Sequence, residues 1–193
     1  LAAGGRVLPA YDAVILDEAH SIEEVAATHL GISITNFALK WQFDQIHHPE
    51  TKKGLVARFP ALGPAWRRGL VRQANILRRL TDEFFESLLD AVKMSEKFGA
   101  IRIRKPPAVA NHLSIPLNDL AGQIRGARDG VESPEDKQEL KAYADRLTSM
   151  ASTIDNFLKQ DDRTLVYWIE VEKRARGSRI QLKASPVDLS KSL

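Results

Sequence analysis

Two stretches of this chain place mostly apolar side chains at alternating intervals of four and three residues, a spacing that a helix turns into one continuous stripe. The first stripe runs from Leu70 through Ala74, Leu77, Thr81, Phe84, Leu88, Ala91 and Ser95 to Phe98. The second runs from Leu140 through Tyr143, Leu147, Met150 and Ile154 to Phe157. The first predicts a helix over about 65–98, roughly 50 Å long at 1.5 Å per residue. The second predicts a helix starting at "SPED", with Ser133 as N-cap and Pro134 in the first turn. Both stripes suit the seam of a left-handed helix pair, so we expect the two helices to pack antiparallel as a long arm.

The rest of the chain is less regular. "YDAVILDEAH", residues 11–20, reads as a short strand whose continuous apolar run suits a sheet covered on both faces. "SIEEVAATHL" follows, with Ser21 and Glu24 in capping-box spacing, so Asp17 and Glu18 stand at the carboxyl end of a strand, just before a helix. In open α/β sheets that edge is where ligands bind. One strand is not a sheet, and the strands that pair with Val14–Leu16 are expected outside this sequence. Residues 33–46 read as a short helix, 47–64 as turns, "IRIRKPP" as a basic strand or extended segment limited by its prolines, and 116–128 as a further helix. At the end, "LVYWIEV" and "RIQLKA" read as the two strands of a β-hairpin with "KRARGS" as its turn and Pro186 as its stop. The expected fold is therefore mainly α with a small β part, the helical arm lying between a strand and a C-terminal hairpin.

Composition narrows the function. The 193 residues are 44% apolar, enough for a real core, and no run approaches the ~18 apolar residues of a membrane span. There is no signal-peptide pattern and no cysteine, which excludes disulfides and thiolate chemistry in this chain and fits a cytoplasmic protein. The chain also lacks an initiator methionine and reads as a piece of a longer protein. Its 28 basic residues barely exceed its 25 acidic ones, but they are grouped. Arg67, Arg68, Arg72, Arg78 and Arg79 form one group, Arg102, Arg104 and Lys105 a second, and Lys173, Arg174, Arg176 and Arg179 a third. Grouped cations suit a polyanion. The last two groups are the candidate contacts to single-stranded DNA, with Tyr167 and Trp168 as neighbouring aromatics of which at most one can stack on a base. His47, His48, Asp44 and Glu50 crowd one stretch without the ligand spacing of a known metal site, and read as a solvated turn.

Paired carboxylates at a strand end suit nucleotide hydrolysis, one holding Mg²⁺ and the other orienting the attacking water. Here "VLPAYDAVILDEAHSIEEVA", residues 7–26, resembles motif II of superfamily-two DEAH helicases, in particular the DinG/XPD-like branch, where an acidic helix start of the "SIEEVA" kind follows the motif. "YWIEVEKRARGSRIQLKASPVDLS" is similar to the segment that re-enters the motor just ahead of motif III in that branch. Between these segments the family carries a mostly helical arch that helps enclose single-stranded DNA. The resemblance implies a division into a partial motor domain at 1–31, an arch at 32–164 and a returning hairpin at 165–193. It implies ATP and Mg²⁺ as cofactors of the parent, with Asp17 and Glu18 at the metal, Glu18 activating water and His20 coupling nucleotide state to neighbouring domains. Any iron–sulfur ligands would lie upstream of this region. The implied partners are single-stranded DNA, the remainder of the motor and proteins docked on the arch, with no membrane. None of the eleven glycines is followed by lysine, so the phosphate-binding Gly-Lys-Ser/Thr is missing and the chain alone is expected to be inactive as an ATPase. The competing expectation is a helical protein-interaction module in which "DEAH" is incidental.

Overall fold

A computed structural model describes residues 31–92, 99–175 and 177–187. Its β part is one four-stranded antiparallel sheet: β1 (Ile32–Thr35), β2 (Gly99–Ile103), β3 (Leu165–Arg174) and β4 (Gly177–Pro186), in the order β1-β4-β3-β2. The helices are α1 (Asn36–Ile46), the single-turn α2 (Leu55–Arg58), α3 (Gly63–Ala91), α4 (Ser114–Gly126) and α5 (Pro134–Lys159). The chain is mainly α with a small β part, as its patterning implies. Among the described residues no helix is long and apolar enough to cross a membrane.

The hairpin organises the sheet. β3 and β4 pair along their whole length, from Leu165 opposite Pro186 to Arg174 opposite Gly177. Period-two alternation sends Tyr167, Ile169 and Val171 of β3, with Ile180, Leu182 and Ala184 of β4, to a single face, and all six are buried. β1 joins with Ile34 opposite Leu182, and β2 with Ile103 opposite Tyr167, which extends that apolar face to both edges. The two flanking strands come from the helical half of the sequence, so the hairpin and the helices share one sheet and one core. α1 and α5 lie against the apolar face, where Phe157 of α5 meets Tyr167 edge-on at 5.8 Å between ring centres.

Ile32–Thr35 corrects the reading of 33–46 as a single helix. Its first residues alternate β-branched and polar side chains and pair with β4, and the helix begins only at Asn36. Thr35 serves both elements: it is the last residue of β1, and its Oγ1 accepts from the Ala38 amide at 2.9 Å as the N-cap of α1. Asn36 then ties the helix to the hairpin. Its Nδ2 donates to the Ser178 carbonyl at 2.9 Å, and its Oδ1 accepts from the Ile180 amide at 3.1 Å. After α1, Gly54 sits at φ +125°, and a Cβ there would stand 2.7 Å from the carbonyl oxygens of Gln45 and Ile46, so only glycine fits.

The long helices form where the stripes lie, with two differences. α3 starts at Gly63 and buries Leu70, Ala74, Leu77, Thr81, Phe84 and Leu88, as spaced; Ala91, at its last turn, is exposed, and Ser95 and Phe98 of the expected stripe lie outside the described residues. α5 starts at the Ser133 cap, whose Oγ accepts from the Asp136 amide at 3.3 Å. It buries Leu140, Leu147, Ile154 and Phe157 as expected, together with Ala144, Ala151 and Leu158, whereas Tyr143 and Met150 of the expected stripe are only partly covered. The reason is α4, which packs along α5 and also touches α3, so that each long helix has a shorter helix as its principal partner: α4 for α5, and α1 for α3. The expected direct seam between α3 and α5 gives way to this arrangement. Alanines at 144 and 151, both buried, let α4 approach closely enough for Ser114 Oγ to donate to the Ala151 carbonyl at 2.9 Å.

This packing predicts opposite tolerance at neighbouring positions. Ala151→Leu should crowd the α4–α5 contact and lower stability by about 1–3 kcal/mol, whereas Met150→Leu should cost less than about 1.5 kcal/mol. Urea midpoints of the two variants measure the contrast.

Candidate nucleic-acid interface

The acid pair and histidine of the DEAH segment, Asp17, Glu18 and His20, lie outside the described residues, as does Arg176. Of the remaining candidate cations, Arg102, Arg174 and Arg179 stand on the sheet face turned away from the helices, Arg104 and Lys105 follow β2 at its edge, and Lys173 has the opposite parity. The register places Arg102 of β2 opposite Trp168 of β3, and Trp168 opposite Lys183 of β4, so one row crosses the outer face. This resolves the two adjacent aromatics. Tyr167 points into the core, 5% exposed, with its hydroxyl donating to the Asp162 carbonyl at 3.3 Å. Trp168 points outward and stays half-buried; its Nε1 donates to Glu170 Oε1 at 2.7 Å, and the Lys183 ammonium stands 5.8 Å from its ring centre.

The cations on this face fall into two sets. At the hairpin end, Glu172 pairs with Arg174 and Arg179, and Glu170 pairs with Lys183 at 3.2 Å. Three of the four hairpin candidates are described, and two of them are thus already matched by one carboxylate. Lys173 has the opposite parity, faces the other side of the sheet opposite Ser178, and is exposed. The hydrogen bond from Arg174, reinforced by the charges of Arg174 and Arg179, holds the Glu172 carboxyl below its ordinary value.

The second set is uncompensated. Arg102, Arg104 and Lys105 are all exposed, and none has an ion-pair partner among the described residues. Arg102 and Arg104 line a cleft of about 300 Å³ together with Arg163, which the loop after α5 delivers to the same place. Ile103, Leu165 and Tyr167 form its apolar side. The one carboxylate there, Asp162, is occupied by the Thr164 hydroxyl at 2.6 Å and the Thr164 amide at 2.9 Å, and these bonds hold it below the usual carboxylate range. Gln160, at the left-handed C-cap of α5, adds a buried Nε2 without a partner among the described residues. Three guanidinium groups and an unused amide donor around a small cleft suit an anion with several acceptor oxygens, such as a backbone phosphate. Arg163 is the residue that linear reading misses: it stands alone between Asp162 and Thr164, and only the pairing of β2 with β3 brings it beside Arg102.

The other basic group divides as well. Arg78 is absorbed into the fold, donating to Asp44 Oδ1 at 2.8 Å, to Asn75 Oδ1 at 2.8 Å and to the His47 carbonyl at 2.6 Å. The same contact occupies Asp44, and His48 Nδ1 accepts from the Glu50 and Thr51 amides at 3.2 Å each, so this stretch is a turn closed by its own side chains. Among the described residues no group of three or more histidine or acidic side chains is placed to hold a metal ion. Comparison with protein-family models and with curated proteins finds no match.

The Glu172 pairing has a direct test. Because its folded-state pKa is depressed, the pair is present above the ordinary glutamate value of 4.5 and is lost as pH falls through the lowered value. An NMR titration of the Glu172 carboxyl should show a midpoint below 4.5, and Arg174→Gln should move that midpoint back toward it.

Proposed function

We propose that this chain is the segment of an ATP-dependent DNA helicase that runs from the DEAH motif through a helical arch to the strand pair re-entering the motor, and that the arch helps enclose single-stranded DNA. The helicase reading rests on the resemblance at residues 7–26 and 166–190. The observation that supports contact with DNA is the uncompensated set Arg102, Arg104 and Arg163 around one cleft, with Lys105 alongside and an outward-facing Trp168 in the same row. A basic track with an aromatic beside it is what single-stranded nucleic acid requires, since phosphates need donors and bases need a flat apolar face.

In the parent, Asp17 would hold Mg²⁺, Glu18 would orient and deprotonate the attacking water, and His20 would carry nucleotide state to its neighbours. ATP and Mg²⁺ supply the phosphoryl group and the charge neutralisation; this chain supplies the acid pair and the arch. Without a Gly-Lys-Ser/Thr the excised chain holds no β- and γ-phosphates, so it neither hydrolyses ATP nor unwinds DNA by itself.

The test is fluorescence anisotropy of a labelled single-stranded oligonucleotide titrated with this chain at two salt concentrations. With three or four phosphate contacts at about 0.7 each, the log–log slope of affinity against salt should fall between about −2 and −3. Reversing Arg102, Arg104 and Lys105 to glutamate should abolish the binding. Absence of binding at low salt overturns the DNA-gripping role and leaves the arch as a spacer or a protein dock.

A further inference from the structure

α3 carries a second stripe. Besides the buried one, residues 64, 67, 68, 71, 72, 75, 76 and 79 recur every three or four positions along one side of the helix, and they line a groove of about 790 Å³. Four of them are arginines: Arg67, Arg68, Arg72 and Arg79. The floor between them is apolar, made by Val71 and Ile76 together with Val56 from α2, and Ile76 is 40% exposed. No carboxylate lines the groove. Arg79 reaches Glu83 one turn on, at 3.3 Å and in full solvent, a weak pair. Arg67, Arg68 and Arg72 have no acidic partner among the described residues, and the Arg67 Nε is buried there without a hydrogen bond.

From these observations we infer that the α3 groove docks an acidic amphipathic helix of a partner protein, whose apolar side covers Val71 and Ile76 and whose carboxylates pair with Arg67, Arg68, Arg72 and Arg79. Charge complementarity and shape carry the choice. Arg67 to Arg79 spans about 18 Å at 1.5 Å per residue, the length of a helix of some three turns. A helix brings carboxylates and apolar side chains on adjoining faces, which matches an apolar strip edged by guanidinium groups. Nucleic acid fits less well: no aromatic side chain lines the groove, and the nearest in sequence, Trp66, is turned to α4 with its Nε1 donating to the Gln123 carbonyl at 3.4 Å. A membrane surface also fits less well, because insertion needs large apolar side chains that project, whereas Val56 is 8% exposed on the floor. The inference stands on a surface distinct from the β2 edge and does not rest on the DNA reading.

The probe is a fluorescein-labelled peptide of about three helical turns with glutamates on one face and leucines on the other, titrated with the full chain by anisotropy. The wild type should saturate. Arg68→Glu with Arg72→Glu, both at exposed positions, should weaken binding at least about tenfold, and Ile76→Ser about fivefold. Polyglutamate of equal length should bind more weakly than the amphipathic peptide. Circular dichroism confirms that the variants fold, and the Arg102, Arg104 and Lys105 charge-reversal variant should bind the peptide as the wild type does. Three results overturn the inference: no saturation up to about 0.1 mM peptide; binding unchanged in the double arginine variant or lost in the β2-edge variant; or tighter, Arg68- and Arg72-dependent binding of an oligonucleotide or of phosphatidylserine vesicles, which assigns the groove to those ligands instead.

Discussion

The period-two alternation along β3 governs the rest of the molecule. Tyr167, Ile169 and Val171 must leave water together, and the only way for a strand to do this is to turn its intervening residues, Trp168, Glu170 and Glu172, the other way. A slip of one residue would bury two carboxylates and an indole N–H while exposing the core. With that register set, β4 follows through its own alternation, β1 and β2 attach to the two sides, and α1 and α5 find the apolar face they need. The position of every cation on the outer face is a by-product of the same constraint.

Charge on that outer face is sorted by where carboxylates fall. Glu170 and Glu172 lie on β3 within reach of the hairpin's cations, so Arg174, Arg179 and Lys183 are matched within the sheet. The shorter group on β2 has no such neighbour, and the acid nearest to it is satisfied by Thr164. Formal charge counts therefore overrate the hairpin and underrate the β2 edge, because an arginine already bonded to a carboxylate must lose that contact before it serves a phosphate. The α3 arginines show a third situation, in which guanidinium groups edge an apolar strip and call for a ligand that satisfies both.

Elements set by local periodicity were legible in the sequence: the α3 stripe, the Ser133 cap, the proline-limited β2, the hairpin and the inward–outward split of Tyr167 and Trp168. Ile32–Thr35 was not, because four residues show a single alternation and a helix start follows at once. In α5 the expected Leu140, Leu147, Ile154 and Phe157 are buried, and only Tyr143 and Met150 depart from the stripe, for a different reason. Hydropathy favours Tyr143 and Met150, but the close approach of α4 selects by size, and Ala144 and Ala151 win the contact. Arg163 was invisible because the arginines that share its cleft, Arg102 and Arg104, are distant in the chain and meet it only through strand pairing. The acid pair itself, read from a motif, lies outside the described residues, so the catalytic reading still stands on sequence alone.

β2 is an edge strand, and an edge strand presents unpaired amides and carbonyls to any other chain that arrives extended. This one carries Arg102 and is followed directly by Arg104, Lys105 and two prolines. Like charges repel a second copy of the strand, and the prolines remove the donors that would continue a ladder. The same cations that suit a phosphate thus also guard the sheet against self-association, so replacing them with small apolar residues would expose a sticky edge as well as discharge a cleft.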